Sequence, residues 1–546
     1  MAKALKTRAS KLAYTSLAQL PLPGFETPFA QKLTPTNRWV VLAGKIPWDG
    51  MVKIYTNQLH NGVTGAGNIN PRIVLGAIII KHMCDYSDEE TILQIQENMY
   101  LQYFIGLSSY TSEKVFDPSL FVELRNRLNG DLLNQINELI AGLSPGGPIG
   151  REPEPDPIAE DTDQRPEDKE EPQDNAKGGD ECRVSLPAAD QSETELPPPQ
   201  GQMIIDATAS PQDISYPTDI DLLNDAREKS EELIDRLYYP ISGKAKPRTY
   251  RVEARKAYLE IAQKKTKTKK DIRRAIKRQL QYLRRNLAHI DNLLKEHGCI
   301  PLDTHQYKYM LVIRIVYDQQ NKMYQEKTHQ ADHRIVSIHQ PHVRPIVRGK
   351  TVAKVEFGAK INVSLVNGYA FLEDFSWEAY NEGIRLMDAV ERYRKRFGYY
   401  PKELLADKIY CTRDNRKQLK LLGITLKAKP LGRPKAVEAH VSPGERNPIE
   451  GKFGQAKRKY GMGRIKARLA KTSESWIASI IMVLNLVNLA GQVLFAQLSA
   501  ITNYIFSLQY LNYYICEMQP DFFSRPYLPN HFPQNFVLLY NIADLN

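Results

Sequence analysis

Cysteine is scarce: Cys84, Cys182, Cys299, Cys411 and Cys516 are the only five in 546 residues, and no two form a CxxC pair. A disulfide framework and a cysteine-rich zinc site are thereby excluded, and a reducing, cytoplasmic setting is expected. The stretch from Met1 to Phe25 has no continuous apolar run, so no secretory signal is expected there. Charge is missing altogether from Ser475 to Cys516. That run exceeds the roughly 20 residues a membrane span needs. Yet Asn485, Asn488 and Gln492 sit inside it, where each amide would need a partner in lipid, so a buried core helix and no membrane are expected.

Apart from one segment, acidic residues are outnumbered. Residues 151–200 hold 16 acids, five bases and nine prolines, while the remaining 496 carry a net charge of +22. The acidic stretch cannot bury enough apolar surface to order itself and reads as a linker. The basic remainder favours a polyanionic partner, nucleic acid before membrane. The densest run, Lys244 to Arg285, has 17 basic and three acidic residues, interleaved with Ile272, Ile276, Leu280 and Leu283 at helical spacing. So much charge on one helical hairpin repels itself unless phosphates neutralise it. Lys264, Lys265, Lys267, Lys269 and Lys270 are the candidates. A solvated face is the alternative.

Periodicity divides the chain. Residues 1–36 read as an arm and 37–143 as a helical domain. Asn70-Pro71 opens an apolar run, Ser87-Asp88-Glu89-Glu90 has capping-box spacing, and Asp117-Pro118 starts a further helix. The two helices around the Cys84–Ser87 turn resemble a helix-turn-helix, which makes this domain a candidate for DNA binding. The linker covers 144–200. Residues 201–497 read as a mixed sheet with helices on its faces, interrupted by the basic helical insertion at about 219–330. Strands are expected at 203–206, 334–339, 359–366, 369–375 and 404–407, with Asn367-Gly368 as a hairpin turn and Ile384, Met387, Ala389 and Val390 inward on the next helix. The tail, 498–546, holds 11 Phe or Tyr and reads as an aromatic strap.

Two apolar runs end in carboxylates, Ile204-Ile205-Asp206 and Leu405-Ala406-Asp407. Charge at a buried strand end calls for a cation, and paired carboxylates suit a hard one. Glu450 is the candidate third acid. A capping role for Glu450 opposite Asn447 is an alternative, and so are Asp213, Asp219 or Asp225 as the ligand. His329, His333, His339 and His342 lie within 14 residues and raise zinc as a further possibility, set against DNA contact by Arg344, Arg348 and Lys350 in a basic, proline-punctuated stretch.

Arg446-x3-Glu450-x6-Lys457 resembles the last three positions of the Tyr-x2-Arg-x3-Glu-x6-Lys signature of one branch of bacterial DDE transposases, with Pro443 at the tyrosine position. Asp206 and Asp407 resemble that family's first and second aspartate motifs. The resemblance implies an RNase H-like α/β catalytic domain preceded by an all-α domain. It implies catalytic and metal-binding Asp206, Asp407 and Glu450 holding two Mg²⁺, with Mn²⁺ able to substitute. It further implies phosphate contacts from Arg446 and Lys457, double-stranded DNA as element end and target, and a homodimer assembled on DNA at the nucleoid. A nuclease that never joins strands and an inactive DNA-binding protein are the alternative functions.

Overall fold

The computed structural model describes residues 33–57, 69–143, 197–238, 245–297, 300–347, 355–428 and 443–491. Residues 1–488 form one compact unit, to which the contacts below belong; residues 489–546 form a second. Residues 144–196 of the acidic linker and the whole aromatic tail lie outside the described residues.

From 33 to 143 the described secondary structure is helical: α1 (Arg38–Lys45), α2 (Trp48–Asn57), α3 (Pro71–Cys84), α4 (Asp88–Glu97), α5 (Met99–Phe104), α6 (Leu120–Arg127) and α7 (Gly130–Ile140). Capping chemistry sets the starts. The side chains of Asn37, Asn70, Ser87, Asn98 and Asn129 each accept a backbone N–H two or three residues on. α3 is buried from Val74 through His82. α4 turns Glu89, Leu93 and Glu97 outward, an acidic face that repels phosphate. The pair therefore lacks the basic second helix that a helix-turn-helix would lay in a major groove.

The sheet is built around β1 (Gln202–Pro211). On one side β5 (Glu403–Leu405) and then β6 (Thr425–Lys427) run parallel to it. On the other, β3 (Val355–Val366) is antiparallel. β4 (Tyr369–Ser376) and the short β2 (Arg344–Val347) share the far edge of β3. Asn367 and Gly368, with φ of 49° and 82°, make the expected hairpin turn between β3 and β4. The apolar Met203 and Ile205 of β1 pack with Phe371, Leu404 and Tyr410 against Leu386, Ala389, Val390 and Tyr393 of α12 (Leu386–Phe397). Ile384, expected inward, is 75% exposed, because it sits in the 3-10 turn Glu382–Arg385 before α12 rather than on its buried face.

Among the described residues, four helices stand between β1 and β2: α8 (Asp219–Leu237), α9 (Arg251–Ala262), α10 (Lys269–His297) and α11 (Thr304–Glu326). They have their own core, with Leu223 and Ile234 against Leu283, Leu287 and Ile290 and against Ile313 and Val316. Ile335 and Ile338 belong to that core as well. This explains why the strand expected at 334–339 is absent: the segment buries its apolar side chains against helices, with no neighbouring strand to pair with, and β-structure begins only at Arg344.

α13 (Arg413–Leu421) and α14 (Asn447–Lys459) follow β5 and β6. Residues 475–491 of the uncharged run lie in α15 (Ala470–Gly491), long and apolar enough to cross a membrane, yet two-thirds of its most apolar stretch is buried within the protein. Trp476 lies edge-on to His82, with the Lys81 ammonium 4.6 Å and the Arg125 guanidinium 5.5 Å from its ring. Both cations pair with Asp88 at 2.8 Å. A second buried link runs from the helical part to the sheet: Arg396 of α12 holds Glu138 of α7 at 3.0 Å and Glu373 of β4 at 2.6 Å.

Candidate active site

The pairing of β1 with β5 sets Gln202 beside Glu403, Met203 beside Leu404 and Ile204 beside Leu405. Continuing that offset by two residues brings Asp206 level with Asp407. β5 has ended by then, whereas β1 runs on to Pro211, so Asp206 lies inside its strand rather than at its end. The small side chains Ala207, Thr208, Ala209 and Ser210 keep pairing with β3.

The two carboxylates converge on one guanidinium. Arg446 Nη2 stands 3.2 Å from Asp206 Oδ2, and Nη1 3.2 Å from Asp407 Oδ1. Asp206, 18% exposed, also accepts the Ala207 N–H at 2.9 Å. Asp407, 54% exposed, accepts the Lys408 N–H at 2.8 Å and so caps the 3-10 turn Lys408–Tyr410. Burial pushes the Asp206 carboxyl up to about 6, against Arg446 and the Ala207 N–H, which lower it, and with Glu382 and Asp407, which raise it further. Arg446, expected as a phosphate contact, is thus engaged by the aspartates.

Glu382 is an acid that the sequence did not disclose. Asn415 donates to Gly383 O at 2.7 Å and to Tyr410 O at 2.8 Å, clamping the turn that carries Glu382 to the turn capped by Asp407. Lys360 of β3 neutralises Glu382 at 2.8 Å. Tyr410, buried beside these groups, donates to Asn362 Oδ1 at 2.9 Å. Following Asn381, which accepts the Gly383 N–H, Glu382 reads in sequence as an ordinary acid at a turn start.

Glu450 lies exposed in the first turn of α14, four residues after Arg446 and hence on the same side of the helix start. It does not cap: Arg446 occupies the N-cap position and Asn447 is already helical. Among the described residues no group of three or more Asp, Glu, His or Cys is gathered closely enough to hold a metal ion. The aspartate pair still fits a hard cation by its chemistry. Two carboxylates, one of them largely buried, already share a positive group.

The other candidates are dispersed. Lys457 is half-buried in the last turn of α14. Lys264, Lys265, Lys267, Lys269 and Lys270 are exposed where α9 turns into α10, with Lys264 bound to Asp271 at 2.6 Å. Arg344 departs from the expected DNA contact. It is 15% exposed, and its Nε holds Glu378 at 2.8 Å, because β2 draws it against the segment that follows β4. Arg348 and Lys350 lie outside the described residues. The histidines go separate ways: His333 to Glu378, His339 to the Tyr309 hydroxyl, and His342 edge-on to Trp377, with burial pushing its imidazole down to about 4. Asp213 and Asp219 are held by Arg464 and Arg334.

Residues 404–487, which include Asp407, Arg446, Glu450 and Lys457, match the family model of a transposase DDE domain. Residues 28–127 match a second model, also a transposase domain. The class defined by the paired aspartates and the first match is that of DDE-domain proteins. With the second match ahead of it on one chain, the two matches support a DDE transposase of insertion-sequence type. It is 30% identical over 104 residues, 19% of this chain, to an uncharacterized protein, ORF8 in the nfe locus, of Rhizobium meliloti. The chain spans 49% of that relative's length. No solved structure matches the chain.

Proposed function

We propose that this transposase binds the ends of its insertion sequence, cuts DNA there and joins the freed strand to a target, in a metal-dependent reaction at Asp206 and Asp407. The observation that carries the reading is the convergence of these two carboxylates on one guanidinium, Asp206 within β1 and Asp407 just past the end of the parallel β5. The strand path β4-β3-β1-β5-β6, with β3 alone antiparallel to the rest, supports an RNase H-like catalytic domain.

Asp206 and Asp407 would hold Mg²⁺ or Mn²⁺, with Glu450 as the third acid brought in from the first turn of α14. Bound there, two such ions would activate the attacking hydroxyl and stabilise the leaving oxygen of an in-line phosphoryl displacement. The chain's own groups do the rest. Burial and the Ala207 N–H orient Asp206, the Lys408 N–H fixes Asp407, and Asn415 ties the Asp407 turn to its neighbour. The exposed lysines between α9 and α10 would track the DNA backbone, and Lys457 would position a phosphate as a point charge. The helical part before the linker, double-stranded DNA as partner, a homodimer assembled on it and a cytoplasmic site of action complete the proposal.

The test is to incubate the purified protein with Mg²⁺ and labelled element-end DNA, resolving nicked from joined products. Both should form. Nicks without joined product would favour a nuclease, and neither product would overturn the reading.

A further inference from the structure

We propose that Arg446 is a built-in counter-ion, which holds the Asp206–Asp407 pair while DNA is absent and yields it to a divalent metal when DNA phosphates draw the guanidinium away. This rests on the metal-dependent reading above and adds to it a coupling between DNA binding and metal loading.

The geometry carries it. A single guanidinium spans both carboxylates, one nitrogen to each: Nη2 to Asp206 Oδ2 and Nη1 to Asp407 Oδ1. Lys360, which neutralises the neighbouring Glu382, is committed to that acid. Both Arg446 contacts are 3.2 Å long, whereas Arg125, with a structural role, grips both oxygens of Asp88 at 2.8 Å. Charge-assisted pairs of good geometry fall near 2.7–2.9 Å, so Arg446 is held less tightly than a fixed ion pair. Arginine keeps its charge, so with both aspartates ionised a better anion or a stronger cation is what separates it from them. Phosphate, which accepts the guanidinium fork in two parallel bonds, is such an anion.

Arg446 also sits where it can move. It is the last residue of the 3-10 turn Pro443–Arg446 and the cap of α14. Such turns have poorer hydrogen-bond geometry than the helix they precede. Because binding couplings are reciprocal, metal in the aspartate pair must in turn tighten the hold of the released Arg446 on DNA. The device would keep the chemistry idle on a protein without DNA.

The experiment measures Mn²⁺ binding to the full-length protein by calorimetry and by the electron paramagnetic resonance of free Mn²⁺, with and without a double-stranded oligonucleotide. Without DNA, Arg446→Gln should bind Mn²⁺ roughly tenfold more tightly than wild type or better, since one charge no longer competes. The oligonucleotide should tighten Mn²⁺ binding by the wild type and do so much less for the variant. Equal or weaker binding by Arg446→Gln overturns the proposal. Should that variant not fold, Arg446→Lys replaces the fork by a point charge that cannot span both acids. It should still bind Mn²⁺ more tightly than wild type, and equal affinity would overturn the idea. Asp206→Asn separates the two levels of the argument. If it loses Mn²⁺ while Arg446→Gln gains nothing, the counter-ion role fails and the metal site stands. If Asp206→Asn binds Mn²⁺ like the wild type, the metal reading falls and takes this proposal with it.

Discussion

Asn485, in the uncharged part of helix α15, holds both backbone groups of Ala370 on β4: its Oδ1 accepts the Ala370 N–H at 2.7 Å, and its Nδ2 donates to the Ala370 carbonyl at 2.7 Å. Nδ2 also lies 3.2 Å from Asn137 Oδ1 of α7. One fully buried amide thus ties three elements together where a membrane-spanning helix would have needed a leucine. Asn485→Leu strands the two Ala370 groups in the core and should lower stability by about 2–4 kcal/mol. Urea unfolding followed by circular dichroism measures it. A loss under about 0.5 kcal/mol, the size of a neutral surface change, would mean that the contact contributes little.

Asp206→Ala and Asp407→Ala should each abolish nicking and joining while leaving affinity for end DNA within a few fold, because phosphate contacts elsewhere persist. Gel-shift and cleavage assays on the same preparations give both numbers. Cutting by either variant would move the chemistry away from this pair.

The raised Asp206 carboxyl makes stability fall with pH. Folded, the group titrates near 6; its ordinary value is 3.8. Between those values the folded chain keeps a proton that the unfolded chain has released, so folding is favoured below the window and loses that favour as pH rises through it. Asp206→Asn, which cannot ionise, should therefore be more stable than wild type at pH 7 by up to about 3 kcal/mol and indistinguishable from it near pH 3.5. Thermal melts across pH 3.5–8 in chelator check the sign. A variant destabilised at pH 7 would show that the Arg446 contact outweighs burial.

The parts that sequence made legible are those set by local patterning. Asn70 and Ser87 announce helix starts through their own side chains, Asn367-Gly368 requires the positive φ of its turn, and the hairpin bearing the lysines follows from apolar spacing. Asp206 and Asp407 were visible because apolar runs lead into both. What was hidden depends on contacts between distant segments. Ile335 and Ile338 look like strand residues until the helical core that buries them is known. Arg344 looks like a free cation until Glu378 is seen beside it. Glu382 has no local mark, and only the Asn415 clamp brings its turn to Asp407.

Replacing Lys264, Lys265, Lys267, Lys269 and Lys270 by glutamine should weaken DNA binding and flatten its salt dependence. Each lost phosphate contact reduces the log–log slope by about 0.9. Lys264 is engaged by Asp271, whose carboxyl it helps hold down at about 2, so it should contribute less than the other four. Restoring lysine at 264 alone should then recover little of the slope. Fluorescence anisotropy over a range of salt concentrations measures this, and an unchanged slope in the fivefold variant would make the run a solvated face.

Glu450→Gln addresses the third acid. Glu450 is exposed, and Arg446 rather than Asn447 is the cap of its helix, so little in the fold depends on its charge. Glutamine has the same shape and a similar helix propensity, and surface changes of this kind fall within about 0.5 kcal/mol. As a ligand it differs sharply, because a hard divalent cation favours carboxylate over neutral amide. A third-ligand role therefore requires a protein that melts and binds end DNA like the wild type but yields products slower by orders of magnitude in Mg²⁺. The same variant should bind Mn²⁺ more weakly once DNA is present, since α14 would then have to carry its acid to the aspartate pair. Near-normal cleavage would relieve Glu450 of that role and direct attention to Glu382, the remaining acid whose charge reaches Asp206.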